Sequence, residues 1–140
     1  MDQQPIMDIA VGLVFKDGLF LITKRKPDAH LGDFWEFPGG KVAMGETGEE
    51  AVVREVAEEV DLRVSVRKLF HHEVARYPDR TVRLKFFLCN SEAPRSKAKP
   101  LTASDLAWVP VEELHMYAFP KGNRTLLEKL AAASAFQSIK

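Results

Sequence analysis

The stretch that most constrains the fold is residues 47–62, where two kinds of chemistry run on one helical period. Val52, Val56 and Val60 recur every fourth residue, with Val53 and Ala57 beside them, and together they make an apolar stripe. Glu55, Glu58 and Glu59 stand at i, i+3 and i+4, so on a helix their carboxylates share one face, roughly 5–6 Å apart. Thr47 precedes Glu50 by three residues, the capping-box spacing of a helix start. Such a helix has to lie on an apolar surface, and the rest of the chain must supply it.

The acidic face has two readings. Seven acids (Glu46, Glu49, Glu50, Glu55, Glu58, Glu59 and Asp61) surround the single base Arg54 between Val42 and Leu62, although the chain as a whole has zero formal charge. Glu58 and Glu59 fall in the last helical turn, where the macrodipole favours Lys or Arg. A solvated face is the plain reading, because exposed like-charge pairs cost only about 0.2–0.5 kcal/mol each. A divalent-cation site is the other, because a cation removes the repulsion. The three glutamates alone leave the two level.

The surface for the helix is legible as strands. Residues 9–15 form an apolar run, Lys16-Asp17-Gly18 a turn, and residues 19–23 its hairpin partner. A polar loop over 24–33 leads into a Gly-rich turn and the acidic helix. Residues 64–74 read as a strand, Tyr77-Pro78-Asp79-Arg80 as a turn and 81–88 as the returning strand. There Val82, Leu84, Phe86 and Leu88 alternate with Arg83 and Lys85, which predicts one buried face. A loop of small, basic and Pro residues covers 91–100. A short strand at 106–109 and a terminal helix at 125–133 complete an α+β pattern, a sheet covered by helices. Nothing repeats and no long linker divides the chain, so residues 1–140 are expected to form a single domain.

Composition excludes several classes. One cysteine, Cys89, rules out an internal disulfide framework, and on an apolar strand it reads as a packed small residue. No basic-then-apolar leader precedes Met7, and no apolar stretch reaches spanning length, so a cytoplasmic protein without a membrane partner is expected. Zero net charge argues against binding a nucleic-acid duplex. Monomer and homodimer both stay open.

Around the helix stand Glu36-Phe37-Pro38-Gly39-Gly40-Lys41, Gly45-Glu46-Thr47, and Arg54-Glu55-Val56-Ala57-Glu58-Glu59-Val60-Asp61-Leu62. This resembles the Nudix box, with Gly40, Glu46, Arg54, Glu55, Val56, Glu58, Glu59 and Leu62 on its positions. Asp61 stands where the box has Gly. That Gly serves a left-handed helix end, and Asp is one of the few other residues that tolerates the conformation. The resemblance implies the Nudix fold, a mixed β-sheet sandwiched between helices. It implies a magnesium-dependent hydrolase, with manganese as a substitute. Glu55, Glu58 and Glu59 would hold the ions with the Gly39 carbonyl, Arg54 would orient Glu55, and Glu46 would support the loop. Glu55 is the first candidate base and Glu58 the second. Some relatives draw a further acid from a later loop; this chain has Thr102 there, with Asp105 nearby.

Beyond the box, the chain is similar over most of its length to MutT-type 8-oxo-dGTP diphosphatases. The likeness runs through Ile22-Thr23-Lys24-Arg25, Asp28-Ala29-His30, Tyr77-Pro78-Asp79-Arg80 and Phe119-Pro120-Lys121-Gly122-Asn123. It implies Arg25, His30, Phe37, Arg80 and Asn123 as substrate contacts, with Asn123 reading the oxidised purine. Guanine presents N7 and O6 as acceptors, whereas its 8-oxo form carries a hydrogen on N7. An Asn amide can donate to O6 and accept from that N7–H. Each residue also has a structural reading: Asn123 as an N-cap, Phe37 as core, Arg80 on a turn, His30 in solvent, and Arg25 solvated. Three functions are weighed: a hydrolase of oxidised purine nucleotides, a CTP/dCTP-type or broad-specificity triphosphate pyrophosphohydrolase, and a nucleotide-binding sensor without turnover. The sensor ranks last because no motif acid is missing.

Overall fold

In a computed structural model, residues 5–137 are described; residues 1–4 and 138–140, part of the expected 1–140 span, lie outside them. Seven strands and two helices follow in the order β1 (Ile6–Lys16), β2 (Leu19–Lys24), β3 (Trp35–Glu36), β4 (Gly39–Lys41), α1 (Gly48–Val60), β5 (Val64–Tyr77), β6 (Arg80–Ser91), β7 (Asp105–Val109) and α2 (Arg124–Gln137). Short 3-10 turns occupy Arg95–Lys97, Val111–Met116 and Lys121–Asn123. Among the described residues, no helix is long and apolar enough to cross a membrane.

The sheet runs β3-β2-β1-β6-β5, with β4 added to β1 and β7 to β2. Its centre is a parallel pair, β1 with β6, in register from Ile6 opposite Thr81 to Phe15 opposite Asn90. A central strand is covered on both faces, which explains the continuous apolar run of β1. Ala10 and Val14 join a core with Val52, Val56, Val60 and Phe87 on the α1 side. Val11 and Leu13 join Ile22, Phe37, Phe86, Leu126 and Leu130 on the α2 side. The mixed sheet is therefore sandwiched between helices, as expected. Helix α1 sits almost on the backbone of β1: a Cβ on Gly12 would lie 3.0 Å from Val52 Cγ2 and 3.1 Å from Val56 Cγ2. Cys89 is fully buried, and burial pushes its thiol up to about 12, consistent with a packing residue.

The structure corrects three local expectations. The β1–β2 hairpin forms through the Asp17-Gly18 turn as expected but is shorter, pairing only at Phe15 with Phe20 and Lys16 with Leu19. Beyond that, β4 takes the edge of β1, from Ile9 with Lys41 to Val11 with Gly39, and β2 turns to β7 over five positions. The Gly-rich turn is thus two short strands joined at Phe37-Pro38. In β6 the single-face alternation holds for Val82 to Lys85 but not for the second half. Phe86 and Phe87 are both buried, at 4% and 2% exposure, one in each core.

Helix α1 begins and ends as its sequence requires. Thr47 Oγ1 accepts from Glu50 N–H at 3.1 Å, and Glu50 Oε1 accepts from Thr47 N–H at 2.9 Å. Asp61 closes the helix in the left-handed conformation, φ 59°, with its N–H donated to Ala57 O at 3.1 Å. No basic side chain serves the last turn. Instead, Lys99 N–H donates to Val60 O at 2.9 Å and Leu101 N–H to Glu59 O at 3.0 Å. The 99–101 segment thereby satisfies carbonyls that a helix end otherwise leaves open and draws Thr102 toward Glu59.

Candidate active site

Packing on β1 turns the acidic face of α1 toward β4. A Cβ on Gly40 would lie 2.5–2.7 Å from the Glu55 carboxylate atoms, so only glycine leaves room for that side chain. Gly39 N–H donates to Glu59 Oε1 at 3.3 Å, and the Glu59 carboxyl is hydrogen-bonded to that of Glu55. Burial, first of all, pushes Glu59 up to about 8, reinforced by the Glu55 hydrogen bond and charge. That value keeps a proton on Glu59 at neutral pH.

Arg54 organises the other side. Its Nε donates to Glu46 Oε2 at 2.7 Å, and Nη1 to Glu55 Oε2 at 2.9 Å and Glu58 Oε1 at 3.2 Å. Its Nη2 donates to Glu46 Oε1 at 3.1 Å and to Lys41 O at 3.0 Å. All five guanidinium N–H groups are engaged. Glu46 also accepts from Ala43 N–H at 2.8 Å. The Arg54 hydrogen bond, followed by that from Ala43, holds its carboxyl below the usual carboxylate range.

The expected trio of carboxylates does not close. Glu55 and Glu59 meet, but Glu58 is 58% exposed and turned to Arg54. Among the described residues, no three His, Cys, Asp or Glu side chains stand together as a ready-made metal cluster. The physical reason is repulsion: three anions cannot converge unaided, so one carboxyl keeps a proton and another takes the arginine. The donor set still fits a hard divalent ion. Every donor is oxygen, and the proton held by Glu59 is what such an ion would replace.

Glu59 and Gly39 open into a cleft of about 420 Å³ whose other walls include Arg25, Lys26, Glu36 and Thr102. Arg25 is tied in place: Nε donates to His30 O at 2.6 Å, and Nη1 to the two Glu36 carboxylate oxygens at 3.1 and 3.4 Å. The cleft thus brings acids and bases together.

The remaining candidates lie at different distances from this centre. The His30 side chain is exposed, and its carbonyl makes the contact to Arg25. Phe37 is buried at 4% and packs on Phe119, ring centroids 5.4 Å apart. Arg80 is not in the cleft; it lies over the Tyr77 ring at 5.7 Å and lines a separate depression of about 440 Å³ with Ile6 and Lys41. Asn123 ends the 3-10 turn before α2, half-buried, with its backbone N–H donated to Pro120 O at 3.0 Å. Its side-chain amide has no hydrogen-bond partner among the described residues, so it does not cap α2. The Asp105 carboxylate accepts from its own neighbour, Leu106 N–H, at 2.7 Å, while Thr102 faces the cleft. Sequence reasoning missed Glu36 as a site residue. No sequence signal marked it: the register that sets Glu36 opposite Thr23, two residues from Arg25, belongs to the fold.

A Gly-Gly strand lies against a helix bearing Arg54, Glu55, Glu58 and Glu59, beside a cleft lined by both acids and bases. The family model for the NUDIX domain matches residues 10–129, and the chain belongs to that family of hydrolases. It is 36% identical over 125 residues to the 8-oxo-dGTP diphosphatase of Escherichia coli (strain K12), which spans 89% of this chain and 95% of that one. To the 8-oxo-dGTP diphosphatase of Proteus vulgaris it is 39% identical over 89 residues, 63% of this chain and 79% of that one. A solved MutT from work on Aliivibrio salmonicida and Vibrio cholerae superposes with TM-score 0.75 at 29% identity, over 90% of this chain and 96% of that one. MutT of Methanosarcina mazei Go1 shares the fold, with TM-score 0.79 at 23% identity, over 96% and 99% of the two chains.

Proposed function

We propose that this chain is a magnesium-dependent nucleoside triphosphate pyrophosphohydrolase that removes oxidised purine nucleotides such as 8-oxo-dGTP, releasing the monophosphate and pyrophosphate. The observation that carries the reading is the cleft itself, where Glu59 and Gly39 face Arg25 and Lys26. Glu55, Glu58 and Glu59, with the Gly39 carbonyl, would hold the divalent ion. When bound, that ion neutralises charge on the phosphate oxygens and lowers the pKa of attached water.

The chain's own residues do the rest. Arg54, with every donor engaged, fixes Glu55 relative to Glu46 and holds its carboxylate in place for use as the base toward water. Arg25 and Lys26 meet the phosphate oxygens. Asn123 carries an amide free of internal partners, suited to an edge that presents O6 as acceptor and N7–H as donor. Ordinary guanine offers a lone pair at N7 and leaves the amide mismatched, a penalty that separates substrates by up to about 10⁴-fold. The names of the relatives support the same substrate.

The test is a steady-state panel with magnesium, comparing kcat/KM for 8-oxo-dGTP, dGTP, dCTP and ATP. A strong preference for 8-oxo-dGTP is expected. Equal values for 8-oxo-dGTP and dGTP would remove the oxidised-purine assignment and leave a broad pyrophosphohydrolase, and no turnover at all would leave a binding domain.

A further inference from the structure

Away from the acidic helix, a second polar assembly joins α2 to the edge strand β5. The β5–β6 ladder shifts register between Leu69 and His71, so Phe70 has no partner in β6. A bulge of this kind leaves a residue outside the ladder and re-aims its neighbours. The Phe70 carbonyl accepts instead from Lys129 Nζ at 2.9 Å, and the same ammonium stands 5.2 Å from the centre of the Phe70 ring. Lys129 Nζ also lies 3.4 Å from His71 Nδ1. An ammonium can only donate, so Nδ1 accepts, and Nε2 carries the hydrogen that goes to Glu73 Oε1 at 2.9 Å. The chain Lys129, His71, Glu73 is continuous.

Its position on α2 gives it a consequence. Leu126 and Leu130, in one row along the helix, are buried at 0% and 3% exposure, and Leu127 packs partly buried against the same core. Asn123 stands immediately before the helix, three residues ahead of Leu126, so its position follows any rotation of α2. The apolar leucine contacts hold the helix on the sheet but are non-directional and do not fix its rotation by a specific bond. Lys129 sits beside that row and ties the helix to the strand off its axis. A roll of about 10° at a side-chain radius of roughly 5–6 Å carries a residue about 1 Å sideways, a displacement large enough to spoil a catalytic geometry.

We propose that Lys129, seated in the Phe70 bulge and backed by His71 and Glu73, is a positioning residue that sets the roll of α2 and thereby aims the Asn123 amide at the substrate base. The assignment rests on the reading of Asn123 as the base reader, and the experiment separates the two. K129M keeps the apolar stem and removes the donor; K129R restores one. Each is measured in the native and N123A backgrounds as the ratio of kcat/KM for 8-oxo-dGTP to that for dGTP. K129M is expected to lower the ratio about tenfold, K129R to restore it, and K129M to add nothing once Asn123 is gone. An unchanged ratio in K129M, or the same loss in the N123A background, overturns the proposal. If the native protein itself shows no preference, the base-reading role fails on its own. The pin is then judged by NMR of the Asn123 side-chain amide: a shift in K129M that K129R reverses upholds it, and unmoved resonances overturn it.

Discussion

Arg54 Nε and Nη2 grip both carboxylate oxygens of Glu46, at 2.7 and 3.1 Å, across a span of eight residues that includes the start of α1. This fork ties the loop before the helix to its middle. The remaining donors reach Glu55, Glu58 and the Lys41 carbonyl, so a single side chain connects loop, helix and strand.

A lysine in that place keeps the charge but cannot form the fork. Arg54→Lys is therefore expected to lower kcat by on the order of 10- to 100-fold, the usual loss when a partner behind a metal ligand is removed. KM should change far less. Steady-state kinetics over a magnesium titration provide the check, and native turnover would show that Glu55 needs no such partner.

Glu59 makes stability depend on pH in an unusual direction. Its carboxyl is pushed up to about 8 in the fold, against an ordinary value near 4.5. Between those values the folded protein holds a proton that the unfolded chain has lost, so stability falls as pH rises through the window. Each tenfold change in proton affinity is worth about 1.4 kcal/mol, and a loss on the order of 1–3 kcal/mol is expected between pH 5 and pH 8 in EDTA. Glu59→Gln should flatten the slope, and magnesium chloride should restore the native protein at pH 8. A Tm equal at both pH values would contradict the buried acid pair.

Gly40 offers a steric test. A methyl group there meets the flexible end of Glu55 at 2.5–2.7 Å rather than backbone. Gly40→Ala should consequently fold, with a Tm near that of the parent, while kcat falls by on the order of 100-fold because Glu55 is displaced. Retained activity would mean that Glu55 works from another position.

Asp61 is the reverse case, a position where the chain can be improved. It adopts φ 59° at the end of α1, a conformation that glycine enters without penalty. The change also removes a negative charge from the negative end of the helix dipole. Asp61→Gly is expected to stabilise the protein by about 0.5–1 kcal/mol in urea denaturation. A destabilised variant would show that Asp61 makes a contact worth more than the strain.

Local chemistry was readable from sequence because it depends on neighbours along the chain. The Thr47–Glu50 box, the valine stripe and the left-handed Asp61 need only a few residues each, and all three formed as expected. The residues of the acidic motif were likewise identified by spacing. Their arrangement was not, because it depends on a proton and on Arg54: the helical period brings Glu55 and Glu59 together, whereas Glu58 follows the guanidinium.

Long-range pairing escaped for a different reason. An alternating strand does not encode its partner, so the short β1–β2 contact, the parallel β1–β6 pair and the β-strands within the Gly-rich segment emerged only in three dimensions. The same holds for Glu36 beside Arg25, for Arg80 standing apart from the cleft, and for Lys129 in the Phe70 bulge. The sequence by itself determined the family and the acidic helix, since these follow from residue types at fixed short intervals. Only the tertiary structure decided which of those residues share a cleft, because that is set by sheet register and by the packing of α1 and α2 on opposite faces.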